Sequence, residues 1–225
     1  MYLLGDIHGD FNTISYFAQK NVEKEPTTLI QVGDFGAGFH KDFTDHMEHL
    51  NTILNEFNVT LYAIRGNHDD PKFFDGTYNW SNIKLLPDYT VTVIEGKRIL
   101  FIGGATSIDR LQRIPERSWW EGEIFNLDVD KLSLYEAIDI VVTHTAPKFA
   151  YPIGFNHLVM SFAAYDPTLL EDLTNERQAL AIAYETLKEK NKIKKWFYGH
   201  FHTTEKTEHE DTIFHVLGIN YIYQL

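Results

Sequence analysis

The chain has 225 residues, 44 % of them hydrophobic, with a formal net charge of −12 and no cysteine. That is ample apolar material for a buried core and excludes a disordered chain, while the missing cysteines exclude disulfides, thiolate metal sites and cysteine nucleophiles. The acidic balance argues against broad binding to nucleic-acid backbones or anionic membranes, which need a basic footprint. It leaves phosphate substrates open, because site-bound cations dominate the local field.

The first residues, Met1-Tyr2-Leu3-Leu4-Gly5-Asp6, show no positive leader, and no apolar run approaches the ~20 residues that cross a bilayer, so we expect a cytoplasmic protein without a secretion signal. Tyr2 to Leu4 reads as a short strand and runs into Gly5-Asp6-Ile7-His8-Gly9. A short helix is predicted over Asn12 to Gln19. Thr28 to Val32 is a second strand, followed by Gly33-Asp34. Phe43, Met47, Leu50, Leu54 and Phe57 recur at intervals of 4, 3, 4 and 3, one apolar stripe of a helix. Thr60 to Ile64 is a third strand and ends on Gly66-Asn67-His68-Asp69. Val91 to Ile94 and Arg98 to Ile102 flank Glu95-Gly96-Lys97, a hairpin signal. Ala105 to Asn126 is irregular and rich in Arg and Trp. Asp139 to Thr143 is a strand that leads into His144. Thr145 to Asp172 is irregular again and holds Pro147, Pro152 and Pro167. Leu180, Ala183, Tyr184 and Leu187 predict a helix over Asn175 to Lys190. Lys195 to Tyr198 is a strand ending on Gly199-His200-Phe201-His202, and a second hairpin pairs Glu205 to Glu208 with Ile213 to Leu217.

Strands alternating with helices give an α/β class, and the hairpins make the sheets mixed rather than purely parallel. No repeat or linker divides the chain, so we expect one domain over residues 1–225, with the irregular segments 105–126 and 145–172 near the site. Long irregular segments in a compact domain are usually functional or mobile.

The polar clusters all follow strand ends, where ligands gather in open α/β sheets. In extended chain, residues i and i+2 point the same way, so Asp6 and His8 can face one ion with Ile7 turned inward, and His200 and His202 can do the same around Phe201. The preceding glycines Gly5, Gly33, Gly66 and Gly199 permit sharp turns or close approach. Carboxylate and imidazole donors without sulfur suit manganese, with iron, zinc or nickel as alternatives. Asp6, His8, Asp34, Asn67, His144, His200 and His202 exceed the donors that one tetrahedral ion needs, so two divalent ions are expected.

With these motifs in this order, GDxHG, GD, GNH followed by an acid, a lone histidine and GHxH, the sequence resembles the calcineurin-like metallophosphoesterases across residues 5–202. The resemblance implies a four-layer sandwich, two mixed sheets packed together with helices outside. It implies that Asp6, His8 and His202 hold one metal, that Asn67, His144 and His200 hold the other, and that Asp34 bridges both. It implies hydrolysis of a phosphate monoester or diester by metal-activated hydroxide without a phospho-enzyme, with His68 stabilising the transition state or protonating the leaving oxygen. Asp69 either orients His68 or caps the turn before Pro71. The second motif reads Gly33-Asp34-Phe35-Gly36-Ala37-Gly38 and lacks the GDxVDRG continuation of the protein-phosphatase branch; Arg65 matches that branch or simply pairs structurally. The run Gly103 to Arg110 followed by Trp119-Trp120-x-x-Glu123 is similar to small bacterial and phage-type members.

The expected substrate is a phosphorylated small molecule, a nucleotide or a phosphoprotein. A nuclease of the same superfamily and a non-catalytic scaffold are the competing readings. Arg110 and Arg113, with Arg117 beside them, are candidates to bind phosphate, since guanidinium forks match its oxygens in pairs; their competing role is to tie a loop to an acidic domain. His46 and His49 read as a solvated helix face. His40 and His157 are candidates to reach the site, whereas His209 and His215 have no supporting spacing. Tyr151, Phe155, Phe162 and Tyr165 either form a lid or a dimer contact, or pack their loop onto the domain.

Overall fold

A computed structural model describes residues 1–225. The strands are β1 (Tyr2–Leu4), β2 (Thr27–Gln31), β3 (Val59–Ala63), β4 (Ile83–Leu85), β5 (Thr90–Ile94), β6 (Lys97–Ile102), β7 (Ile140–Thr143), β8 (Lys195–Tyr198), β9 (Glu205–His209), β10 (Thr212–Val216) and β11 (Ile222–Gln224). The helices are α1 (Phe11–Gln19), α2 (Phe43–Glu56), α3 (Val129–Ser133), α4 (His157–Ala163) and α5 (Leu169–Lys188).

One sheet runs β11-β1-β2-β3-β4 and the other β5-β6-β7-β8-β10-β9. Both are mixed: β1 to β4 are parallel with β11 antiparallel at the edge, and β6, β7, β8 and β10 are parallel between antiparallel β5 and β9. The central strands read as unbroken apolar runs because both of their faces are buried. Alternate residues then feed different cores. Leu3, Ile30, Phe101, Val142 and Phe197 fill the space between the two sheets. Leu4 and Leu29 face the other way, against Ile14 of α1 and Met47, Leu50 and Leu54 of α2. Leu100, Val141, Trp196 and Phe214 pack under Leu180, Tyr184 and Leu187 of α5 and Leu132 of α3. The result is the helix–sheet–sheet–helix stack anticipated from the motif set.

Three local expectations need correction. The last long helix starts at Leu169, not near Asn175, because Leu169 and Leu173 close a small cluster with Val159. Segment 145–172 is therefore only partly irregular, and it also carries α4, whose N-terminus is capped by the Asn156 side chain accepting from the Val159 N–H at 3.0 Å. β4, β11 and α3 have no counterpart in the sequence reading; they span three, three and five residues, too short for a period to show.

Candidate metal centre

The motif loops follow β1, β2, β3, β7 and β8 and are stitched to one another through backbone hydrogen bonds. The Ile7 and His8 amides donate to Asp34 O at 3.2 and 2.8 Å, Gly9 donates to Phe35 O at 3.1 Å, and Gly199 donates to His144 O at 3.1 Å. This brings the seven predicted donor side chains into one continuous cluster. His8 Nδ1 lies 3.7 Å from Asp34 Oδ2, and His144 Nε2 lies 3.2 Å from Asp34 Oδ1 and 3.1 Å from Asn67 Oδ1. His200 Nδ1 is 2.8 Å from the same Asn67 oxygen. His202 Nε2 is 3.5 Å from Asp6 Oδ2 and 3.1 Å from His8 Nε2, which joins Asp6 to the others. Donor atoms of Asp6, His8, Asp34 and His202 all lie within 4.8 Å of one another.

The convergence is achieved differently from the expected extended alternation. β1 and β8 stop before the motifs, and His8, Asp34, His200 and His202 all take positive φ, at 46°, 56°, 68° and 53°. Each such residue costs on the order of 1 kcal/mol relative to a right-handed backbone. The turns still send Ile7 into the core, where it is 2 % exposed. All four motif glycines allow close approach, two of them against the cluster's carboxylates: a Cβ on Gly199 would strike the Asp6 carboxylate, and one on Gly66 would strike both Asp34 and the His144 ring.

The charges explain why such a cluster needs partners. Burial raises the Asp6 carboxyl well above its usual range, with Asp34 adding to the rise against the attraction of His144. Burial also opposes Asp34, but His144, His68 and His8 outweigh it and hold that carboxyl well below its ordinary value. Burial pushes the His200 ring well below its usual range and lowers His8 and His202, so these three imidazoles are neutral and keep a lone pair for an electrophile. His144 is 0 % exposed; burial lowers it, yet the Asp34 charge prevails and lifts it to about 9. Its Nδ1 faces Val32 O at 2.8 Å, which directs Nε2 into the cluster. Buried carboxylates beside neutral imidazoles and an amide oxygen are the donor set of a hard or borderline divalent cation, and an ion there would relieve the burial of two acids together.

Asn67 is oriented by a relay that the sequence reading missed. Its Nδ2 donates to Ser107 Oγ at 3.0 Å, and Ser107 Oγ donates to Glu123 Oε2 at 2.7 Å. A carboxylate only accepts, so the hydroxyl proton points to Glu123 and the Ser107 lone pair receives the amide N–H. That turns Asn67 Oδ1 toward His144 and His200. Ser107 and Glu123 belong to the Gly103–Arg110 and Trp119–Glu123 runs, so only the motif spacing hinted at them.

The other predicted residues divide. His68 edges His8 at 5.0 Å between ring centroids and faces the open side of the cluster. Burial lowers it to about 4, with Arg113 and His8 adding to the effect against Asp34. Arg113 NH2 lies 2.7 Å from His68 Nε2 and 2.7 Å from Asp109 Oδ1. Asp69 does not orient His68, nor does it cap the turn. Its carboxylate accepts the amides of Phe35, Gly36, Ala37 and Gly66 at 2.7 to 3.0 Å and so binds the second motif loop to the third. Asp70 is the cap before Pro71. Arg110 takes the second of its two expected roles: it is spent on Asp166 at 2.6 Å and Asp172 at 2.5 Å, tying its loop to α5 and not free to bind phosphate, while Arg117 is exposed. Arg65 pairs with Asp88 at 2.6 Å, a structural role. His40 and His157 do not line the cavity beside the cluster. A second acidic group, Glu185 and Glu210 near His209, is bridged by Lys188 at 2.8 and 2.9 Å.

Beside the cluster opens a cavity of about 390 Å³. Its floor is Asp34, Asn67, His68, His200 and His202, and its sides come from residues 108–113 and 151–162.

A family model described as calcineurin-like phosphoesterase matches residues 1–204. A dimetal phosphatase from Danio rerio superposes with a TM-score of 0.59 at 11 % identity, covering 98 % of this chain and 88 % of that one. The protein TT1561 of Thermus thermophilus gives 0.57 at 15 % identity over 98 % and 90 %. A putative 5′-nucleotidase from Staphylococcus aureus gives 0.50 at 15 % identity over 98 % of this chain and 49 % of that one. At these identities the likeness speaks to the fold. No curated protein matches the sequence.

Proposed function

The chain belongs to the calcineurin-like phosphoesterases, a metal-dependent family of hydrolases, and on that premise we propose that it hydrolyses a phosphate monoester or diester at a two-metal site. Asp6, His8 and His202 would hold one ion, Asn67, His144 and His200 the other, and Asp34 would serve both, with manganese the first choice. One observation supports this above all: side chains from five separate strand ends form an unbroken chain of oxygen and nitrogen donors, running from His200 through Asn67, His144, Asp34, His8 and His202 to Asp6, with neighbours 2.8 to 3.7 Å apart. When bound, the ions supply Lewis-acid activation of water and charge neutralisation at phosphate.

The chain's own residues do the rest. In the net reaction a water oxygen bonds to phosphorus, the ester P–O bond breaks, and the leaving alcohol departs with a proton. Arginine has donors only, so Arg113 donates to His68 Nε2 and the ring proton sits on Nδ1. With an ester present, a phosphate oxygen replaces Nε2 as the acceptor of the Arg113 fork, and the freed Nε2 takes up a proton beside the phosphate charge, ultimately one given up by the attacking water, and passes it to the leaving oxygen. Asp109 holds the guanidinium in place during that exchange. The formal net charge of −12 favours a small phosphorylated molecule over a polynucleotide.

Purified protein with Mn²⁺ is expected to hydrolyse p-nitrophenyl phosphate or its bis ester. His68→Ala is expected to retain Mn²⁺ binding and to lose about 10²–10⁴ in turnover. Inactivity of the wild type on both esters across Mn²⁺, Zn²⁺, Ni²⁺ and Fe²⁺ would overturn the assignment.

A further inference from the structure

The cavity beside the cluster has a composition that discriminates among phosphate esters. Ile108, Ile153, Leu158, Val159, Phe162 and Phe201 make most of its walls. Arg113 is the sole Lys or Arg among its lining residues, and Asp109 already pairs with it. A leaving group carrying a second phosphate would find no further cation there, and it would meet the Asp109 carboxylate. A polyol would set its hydroxyls against Ile108, Ile153, Leu158, Val159 and Phe162, with only Asp109, Tyr151 and Asn156 besides Arg113 among the wall side chains to bond them, and each hydroxyl buried against the apolar part without a partner costs roughly 1–3 kcal/mol.

The walls are held in place. Arg110 bolts the 108–113 side to Asp166 and Asp172. Asn156 caps α4, which carries Leu158, Val159 and Phe162. The guanidinium of Arg177 on α5 lies 3.3 Å from the Tyr151 ring centroid and 4.3 Å from that of Phe155, pinning the start of the same segment. A pocket of this size and character suits a small-molecule moiety and needs little reorganisation to receive one.

We propose that this cavity seats the leaving group of the substrate, and that the preferred substrate is a phosphate ester of an uncharged, apolar alcohol or phenol. The proposal rests on the phosphoesterase reading above. The scissile phosphate lies against the floor and Arg113, while the organic part occupies the space between Ile108, Leu158 and Phe162. Burying a butyl or phenyl group there is worth about tenfold or more in selectivity over a polar group of equal size.

The test compares two alkyl esters, butyl phosphate and glycerol phosphate, on Mn²⁺-loaded protein; glycerol is the more acidic alcohol, so leaving-group chemistry by itself would favour glycerol phosphate. The inhibitors phenylphosphonate and methylphosphonate run in parallel. We expect kcat/KM to favour butyl phosphate at least about tenfold, and phenylphosphonate to inhibit about tenfold more tightly. Leu158, 55 % exposed, tolerates substitution without threat to the fold. In Leu158→Ser the butyl-to-glycerol ratio is expected to fall toward one, and Phe162→Ser supplies an independent second wall change. Equal kcat/KM for the two esters, or a ratio that survives both variants, would overturn the leaving-group assignment and leave the hydrolase standing. No turnover of any ester would instead overturn the hydrolase reading beneath it.

Discussion

Ser107→Ala deletes one buried oxygen that holds two others. The hydroxyl receives Asn67 Nδ2 at 3.0 Å and donates to Glu123 Oε2 at 2.7 Å, and both partner residues are 2 % exposed. Without it the amide N–H has no partner, and Glu123 retains only the Ser107 N–H at 2.9 Å. A buried group left unsatisfied costs about 1–3 kcal/mol, so roughly 2 kcal/mol of stability should be lost. At about 2–4 °C per kcal/mol for a chain of this size, Tm should fall by about 4–8 °C. A specific effect is superimposed. Asn67 is no longer forced to turn Oδ1 toward His144 and His200, and losing an outer partner of this kind typically weakens a metal about 10–100-fold. Calorimetric titration with Mn²⁺ measures the second effect and differential scanning the first. Thr212→Ala is the control. It removes a buried hydroxyl bonded to Ile193 O at 2.8 Å, in a part of the second sheet remote from the cluster. It should lower Tm similarly without changing Mn²⁺ affinity. Unchanged Mn²⁺ affinity in Ser107→Ala would refute the relay, whatever happens to Tm.

Asp69→Asn should destabilise by about 3 kcal/mol or more, because a side-chain NH₂ would oppose some of the four backbone amides now received by the carboxylate; chemical denaturation reads this directly. Mn²⁺ should raise Tm in a concentration-dependent manner, by about 2.7 kcal/mol of stability at a hundredfold excess over Kd, and a chelator should reverse it; a Tm indifferent to metal would count against the centre. The acid limb of stability should depend on His215. Burial, with Lys206 and Lys195, lowers its pKa from 6.5 to about 4, and the ring lies between Phe197 and Tyr223 at 4.7 and 5.0 Å. The unfolded chain takes up this proton below pH 6.5 while the folded one resists until about pH 4. Stability is therefore undiminished above 6.5 and is lost as pH falls across that window. His215→Phe should flatten this part of a denaturation-versus-pH curve, and an unchanged slope would show that the ring does not titrate as described.

The sequence by itself determined the alternation of elements, the stripe of α2 and the order of the donor motifs. These are short-range signals: a strand buried on both faces is apolar throughout, a helix on a sheet repeats its stripe, and ligand clusters sit where strands end. It also carried the family resemblance that the matching model bears out over residues 1–204. Tertiary structure alone decided what the remaining polar groups do. Asp69 and Arg110 looked like site residues because their neighbours in the chain are, but their partners come from elsewhere: Asp69 receives amides from the Phe35–Ala37 loop, and Arg110 meets Asp166 and Asp172. Ser107 and Glu123 looked incidental until folding placed them behind Asn67. The two irregular segments were expected near the site, but only folding shows that residues 108–113, residues 151–162 and Phe201 together wall one apolar cavity. A side chain's type and spacing limit which bonds it can make; which bond it does make depends on groups dozens of residues away, brought within hydrogen-bonding distance only when the two sheets pack.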